Sequence, residues 1–156
     1  FKTTGAPEAV LDVESTIKQL VLGDGGEGMQ TLRIANGGTL STTNGWSGIG
    51  WNTPATLVVD TGGVFNFGSH AWVGWNDDAT VQINGGIINV AGMYGTAFDG
   101  QSGHGFMHVN SGELNLQQHL YQDHIFFLLL LVSSRHYINN ASEINSKILF
   151  FLQFYS

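Results

Sequence analysis

Short runs of alternating apolar and polar residues recur along the first 116 positions of this chain. Phe65 and Phe67 enclose Asn66, and one repeat later Ile88 precedes Asn89 in the same pattern. Successive side chains of a strand point to opposite faces of a sheet, so each run predicts a β-strand with one buried face. The predicted inward residues keep one register in three copies: Leu32, Ile34 and Leu40; Leu57, Val59, Phe65 and Phe67; Val81, Ile83, Ile88 and Val90.

An internal repeat underlies this pattern. Equivalent apolar positions are Ile34, Val59, Ile83 and, in an imperfect fourth copy, Val109, at separations of 25, 24 and 26 residues. Gly-Gly pairs follow the first three of these strands, and a third strand is predicted after each pair of strands. A period near 25 residues with strand-like units is typical of a solenoid. The third strands are predicted at 49–52, at 73–76 and, in degraded form, at 93–99.

The repeat predicts an all-β fold, a right-handed parallel β-helix. Three short strands per rung and about four to five rungs of 24–26 residues would stack equivalent side chains about 4.8 Å apart. An antiparallel sandwich or meander is the alternative, because the Asn-Gly-Gly sequences at 36–38 and 84–86 are also hairpin signals. Hairpins do not explain a shared period in all three strands, so the β-helix is favoured.

Glycine divides the chain into regions, since all 22 glycines precede residue 113. The last forty residues are atypical and apolar, and two interpretations stay open: a cap over the open end of the solenoid, or a degenerate, non-native tail. The apolar run at 125–132 is too short to span a bilayer. The predicted regions are an N-terminal partial rung or cap at 1–16, β-helix repeats at 17–116 and the C-terminal segment at 117–156.

The upstream region is expected to be strand rather than helix. Residues 9–13 and 17–22 are strand-like, although Pro7 and Glu8 would also suit the first turn of a capping helix. Because the chain begins at Phe1, without an initiator Met, we expect a mature or excised piece of a longer protein.

Charge narrows the classes of partner. Twelve acidic residues against five basic ones give a formal net charge of −7, which argues against nucleic acid and anionic membranes as partners. The absence of cysteine excludes disulfides and thiolate metal sites and leaves the redox compartment open.

Aromatic residues are the candidates for ligand binding. Trp72 alternates with Val73, whose side chain is predicted to face inward, so we expect Trp72 to be exposed to solvent. Together with Trp46 and Tyr94 it would line a carbohydrate-binding surface. Isolated surface aromatics are the favoured interpretation, with the carbohydrate-binding surface as the alternative.

Trp51 and Trp75 occupy equivalent positions in successive copies. Trp51 shares its predicted strand face with Ile49, and Trp75 shares its face with Val73. Both indoles are therefore predicted to point inward as large core residues.

Acidic residues supply the candidates for catalysis. Asp77, Asp78 and Asp99 are predicted to approach one another across one rung, where Ca²⁺ is the cofactor they would suit. A polysaccharide lyase also needs a basic residue to take a proton, and no Lys or Arg is adjacent in sequence. Arg33 is expected to have no acidic partner. Solvated loop carboxylates are the favoured interpretation, so no enzyme, metal site or cofactor is predicted in preference to a binding or structural role.

Two polar columns follow from the register. Asn66, Asn89 and Asn115 share one outward position with Ser41, which predicts a ladder of hydrogen-bonded side chains along the axis. A threonine column at positions 31, 56 and 80 ends at 106, and one column is too narrow to form an ice-binding lattice.

The segments at 63–67, 86–90 and 111–116, each of the form Gly-x-apolar-Asn-apolar, with Val73-Gly74 as a second element, resemble the rungs of bacterial secreted β-helices such as autotransporter passengers. The resemblance covers about residues 17–116. It implies an extracellular or cell-surface module with a structural or adhesive role, or weak binding of polysaccharide or cell-surface glycan. A fragment of a polysaccharide lyase or glycoside hydrolase is the alternative, and a filament subunit that associates end to end is a further one.

Overall fold

The architecture is all-β in the computed structural model, which describes residues 8–25, 28–43, 45–96, 102–118 and 120–122. Side-chain packing is described as far as residue 118. The strands are β1 (Glu8–Leu11), β2 (Glu14–Ile17), β3 (Val21–Leu22), β4 (Gln30–Ile34), β5 (Thr39–Thr42), β6 (Ser47–Ile49), β7 (Ala55–Asp60), β8 (Val64–Phe67), β9 (Ala71–Val73), β10 (Ala79–Val90), β11 (Tyr94–Thr96), β12 (Gly105–Leu116) and β13 (Leu120–Gln122).

Strands one repeat apart pair in parallel and form three faces. The first face stacks β1, β4, β7 and the first halves of β10 and β12. The second face stacks β2, β5, β8 and the second halves of β10 and β12. The third face stacks β3, β6, β9, β11 and β13. The predicted parallel β-solenoid is confirmed, and the antiparallel alternative is wrong because every pairing between described strands is parallel.

The register confirms that equivalent residues stack. Ile34 pairs with Val59, Val59 with Ile83, and Ile83 with Val109. The first three are fully buried and Val109 is nearly so. Because alternate residues point inward, each layer places its apolar residues over those of the layer before, and the core runs along the axis.

Glycines with positive φ form the corners. At the corner between the third and first faces, Gly50 and Gly74 have φ of +73° and +77°, a region that other L-residues rarely adopt. The third strands of these layers end at Ile49 and Val73. The predicted extension of these strands to 52 and 76 is therefore wrong, because the positive φ ends the extended conformation.

The first layer is complete. Strands β1, β2 and β3 all pair with the second layer, and the strand prediction for the upstream region is confirmed over these elements. At the other end the solenoid continues to β13, beyond the change in composition near residue 116. The apolar run at 125–132 lies outside the described residues.

The predicted amide ladder is confirmed. The Nδ2 group of Asn66 donates to Ser41 Oγ at 3.1 Å, that of Asn89 to Asn66 Oδ1 at 2.8 Å, and that of Asn115 to Asn89 Oδ1 at 2.9 Å. The ladder ties together four layers on the second face and needs no ligand to explain it.

Arg33 has two acidic partners, contrary to the sequence-based expectation. Its guanidinium donates to Glu8 of the preceding layer and, at 2.7 Å, to Oδ2 of Asp60 in the next layer. The hydrogen bond that Arg33 donates to Asp60 is the largest cause, and the one that it donates to Glu8 is the second, of a pKa for Arg33 above its ordinary value. The stacking of layers brings together residues that are 25 and 27 positions apart.

Candidate aromatic surface

All four tryptophans of the chain gather on the outside of the third face. Trp46 lies 5.9 Å from Trp72 and 5.8 Å from Trp75 between ring centroids, and Trp72 lies 5.9 Å from Trp75. Trp51 stacks on Trp75 at 4.6 Å with an interplanar angle of 18°. His70 meets Trp46 edge-on at 5.9 Å. These five side chains are called the aromatic surface below.

Small residues beside Trp72 let the rings lie on the sheet. In the register of the third face Trp72 is flanked by Gly48 and Gly95. A Cβ on Gly95 would lie 2.1 Å from Cζ3 of Trp72, and one on Gly48 would lie 2.4 Å from Cε3 of Trp51. The two glycines therefore leave the room that two indoles fill.

The exposure of Trp72 differs from the prediction. It alternates with Val73 and lies on the outer side of the sheet, as expected, but it is only 2 % exposed. Trp46 and Trp75 pack against it. Alternation determines the side of the sheet to which a side chain points, but neighbouring side chains determine whether it is exposed to solvent. Trp46 is 44 % exposed and is the ring of this surface most open to solvent.

The prediction that Trp51 and Trp75 are core residues is wrong. Both are half-buried and neither belongs to the interior cluster. Each follows a glycine of positive φ, Gly50 or Gly74, which breaks the alternation and turns the indole to the outside.

Tyr94 does not contribute to this surface. It pairs in register with Ala71, points into the solenoid and is 1 % exposed. Burial raises the pKa of its hydroxyl well above the ordinary value. Among the described residues none accepts from or donates to this hydroxyl. Tyr94 is thus a core residue that carries a desolvated polar group.

Replacing Tyr94 by phenylalanine should raise the free energy of unfolding by about 1 kcal/mol, because a buried hydroxyl without a hydrogen bond is destabilising. In the unfolded chain the tyrosine ionises near pH 10, whereas its pKa in the folded protein is higher. As the pH rises above about 10, this difference should lower the free energy of unfolding of the wild type. Urea unfolding at pH 7 and at about pH 10.5 tests both effects. A variant less stable than wild type at pH 7 would contradict this account.

The His70 ring is held in place by a hydrogen bond to the backbone of the next layer. Its Nδ1 accepts the backbone N–H of Met93 at 2.8 Å, so the neutral ring carries its proton on Nε2. This bond fixes the imidazole against the edge of Trp46. The most exposed indole is therefore supported by a ring that is itself anchored to the backbone of the next layer.

A polar rim borders Trp51 and Trp75. The Nδ2 group of Asn52 donates to Asp24 Oδ1 at 3.0 Å, and that of Asn76 donates to Asn52 Oδ1 at 3.0 Å. Each amide of this second ladder, here called the polar rim, retains further donor or acceptor capacity. The rim follows the same corner that turns the two indoles outward.

Two of the three candidate catalytic acids, Asp77 and Asp78, lie at this corner too. Asp77 Oδ1 accepts the backbone N–H of Asp78 at 2.8 Å, and Asp78 Oδ1 lies 2.8 Å from Nδ1 of His104 in the next layer. Asp99 lies outside the described residues. In the described part of the chain no three His, Asp or Glu side chains come close enough to hold a metal ion. The pairing of Asp78 with His104 was not predicted, although their separation of 26 residues equals one repeat.

A scan against models of protein families, a search of curated proteins and a search of solved structures each found no match to this chain. Across the ranges that the structure describes, no helix is long and apolar enough to cross a membrane.

Proposed function

We propose that this protein is an extracellular or cell-surface β-solenoid module that binds polysaccharide through the aromatic surface. The observation that supports this most directly is Trp46, a large indole left 44 % exposed while three other aromatic rings hold it. An exposed apolar patch rimmed by polar groups is typical of an interaction site on a soluble protein.

The chemistry of the surface suits a sugar chain. Indoles offer apolar area to the C–H groups of a pyranose, and they bring large contact area at a low cost in conformational entropy. The amides of Asn52 and Asn76 both donate and accept, as sugar hydroxyls do. The paired strands beneath hold both sets of groups in fixed positions, which limits the ordering cost of binding.

Replacing Trp46 by alanine should lower the affinity for a bound polysaccharide about tenfold, because the most exposed apolar area of the site is removed. Affinity electrophoresis through gels that contain soluble polysaccharides measures this effect. Val10→Ala is the control, since Val10 is 58 % exposed on the first face and away from the indoles. Equal retention of wild type and the Trp46 variant on every polysaccharide tested would contradict the proposal.

An enzymatic role is the second candidate, supported by the contact between Asp78 and His104, a pair that resembles an oriented base. Both side chains are more than half exposed, at 61 % and 58 %, which leaves the pair solvated and favours the binding role. Release of reducing ends or unsaturated products from the same polysaccharides, abolished by Asp78→Asn, would favour the enzyme instead.

A further inference from the structure

We infer that the aromatic surface selects uncharged polysaccharides over polyanionic ones such as polyuronates. The inference rests on the proposed function and adds the class of ligand. It follows from the charges that border the indoles and from the hydrogen-bonding character of the polar rim.

Carboxylates predominate around the site. Asp24 ends the polar rim, and Asp77 follows Asn76 directly and is partly exposed. Among the residues that the structure describes, Lys18 and Arg33 are the basic ones. Arg33 lies on the first face between two carboxylates. Lys18 lies in the first layer next to Gln19, whose side chain reaches the Gly45 turn that precedes Trp46. This single positive charge stands against the carboxylates of Asp24, Asp77 and Asp78 at the corner that follows the third face.

A polyanion would therefore meet like charge at this surface. Unit charges 10 Å apart in water interact by about 0.4 kcal/mol, so each carboxylate of this corner weakens binding of a nearby anionic sugar about twofold at low ionic strength. An uncharged sugar meets no such penalty, and its hydroxyls match amides that both donate and accept. The rim thus favours a ligand with many hydroxyls and no net charge.

Isothermal titration of the whole chain with two oligosaccharides of equal length, a linear uncharged glucan and a polyuronate, tests the inference. The glucan should bind at least about fivefold more tightly at low salt, and the difference should narrow at high salt, where charges are screened. Trp46→Ala should weaken the binding of both sugars.

The double variant Asp24→Asn and Asp77→Asn removes two negative charges and keeps the acceptor oxygens that Asn52 and the backbone of Asp78 use. It should raise the affinity for the polyuronate relative to that for the glucan about two- to fivefold at low salt. The control is Asp12→Asn with Glu113→Gln, which removes the same charge from exposed positions at the first corner and on the second face.

The outcomes separate the two proposals. A polyuronate bound as tightly as the glucan, with binding that depends on Trp46, overturns the selectivity and leaves the proposed function standing. No binding of either sugar, or binding that does not respond to Trp46→Ala, overturns the proposed function itself.

Discussion

Replacing Gly74 by alanine should lower the free energy of unfolding by about 4 kcal/mol. Its φ of +77° costs an L-residue about 1–2 kcal/mol. The new Cβ would also lie 2.3 Å from the carbonyl carbon of His104 and 2.5 Å from the nitrogen of Gly105. These are backbone atoms of the next layer, so relief requires the layers to separate, at a further cost of about 1–3 kcal/mol.

Gly25→Ala is the matched control for this experiment. Gly25 has a φ of +90°, but a Cβ there would meet no atom of the described residues within 4 Å. This variant should therefore lose only the conformational part, about 1–2 kcal/mol. Urea unfolding followed by circular dichroism measures both. Equal losses in the free energy of unfolding at the two positions would contradict the steric cost that we assign to a Cβ at Gly74.

Replacing Gly95 by valine should destabilise the protein by about 3 kcal/mol and, under the proposed function, weaken the binding of polysaccharide as well. The added carbons would enter the space of the Trp72 indole, whose Cζ3 and Cε3 lie 2.1 and 2.3 Å from the Cβ position. Trp72 is 2 % exposed beneath Trp46 and Trp75, so moving it exposes buried aromatic area and disturbs the rings above it.

A double-mutant cycle with Trp72→Ala isolates this contact. All three of the nearest atoms to a Cβ on Gly95 belong to Trp72, so valine at 95 should cost little once the indole is gone. Urea unfolding of the four proteins should show that the double variant loses about 2 kcal/mol less stability than the sum of the losses of the two single variants. Additive losses would contradict the steric argument, and tryptophan fluorescence would report the displaced ring independently.

The sequence alone predicted the architecture and part of the surface chemistry. A period of 24–26 residues, shared by all three strands, favours layers that each repeat the one before, and the register of Ile34, Val59 and Ile83 agrees with this prediction. The asparagine ladder followed from the same reasoning, since residues at one position of the repeat stack at strand spacing.

The candidate site was predicted in part. Trp46 and Trp72 were chosen correctly as neighbours, whereas Tyr94 was misplaced because the third strand of its layer is too degraded to show which residues point inward. Trp51 and Trp75 were missed as surface residues because their sequence pattern continues the strand alternation through Gly50 and Gly74. The available signal was the glycine that directly precedes each tryptophan, because glycine permits the positive φ that ends a strand.

Pairings between charged side chains of neighbouring layers were the least predictable. Arg33 pairs in register with Val58, so its ion pair with Asp60 joins two different positions of the repeat. Asp78 and His104 instead occupy equivalent positions, next to the registered pair of Ala79 and Gly105. A repeat specifies which residues stack directly, but a long side chain such as that of Arg33 also reaches diagonally, to a partner that the period alone does not identify.

The sequence by itself predicted that this chain winds into stacked parallel layers, because copies that share one period in all three strands can bury their inward apolar residues by repeating the same layer. Only the tertiary structure decided that four indoles gather on one outer face and that one of them stays exposed. The reason is physical: periodicity constrains the backbone and the side of the sheet, but exposure depends on how large side chains from neighbouring layers cover one another.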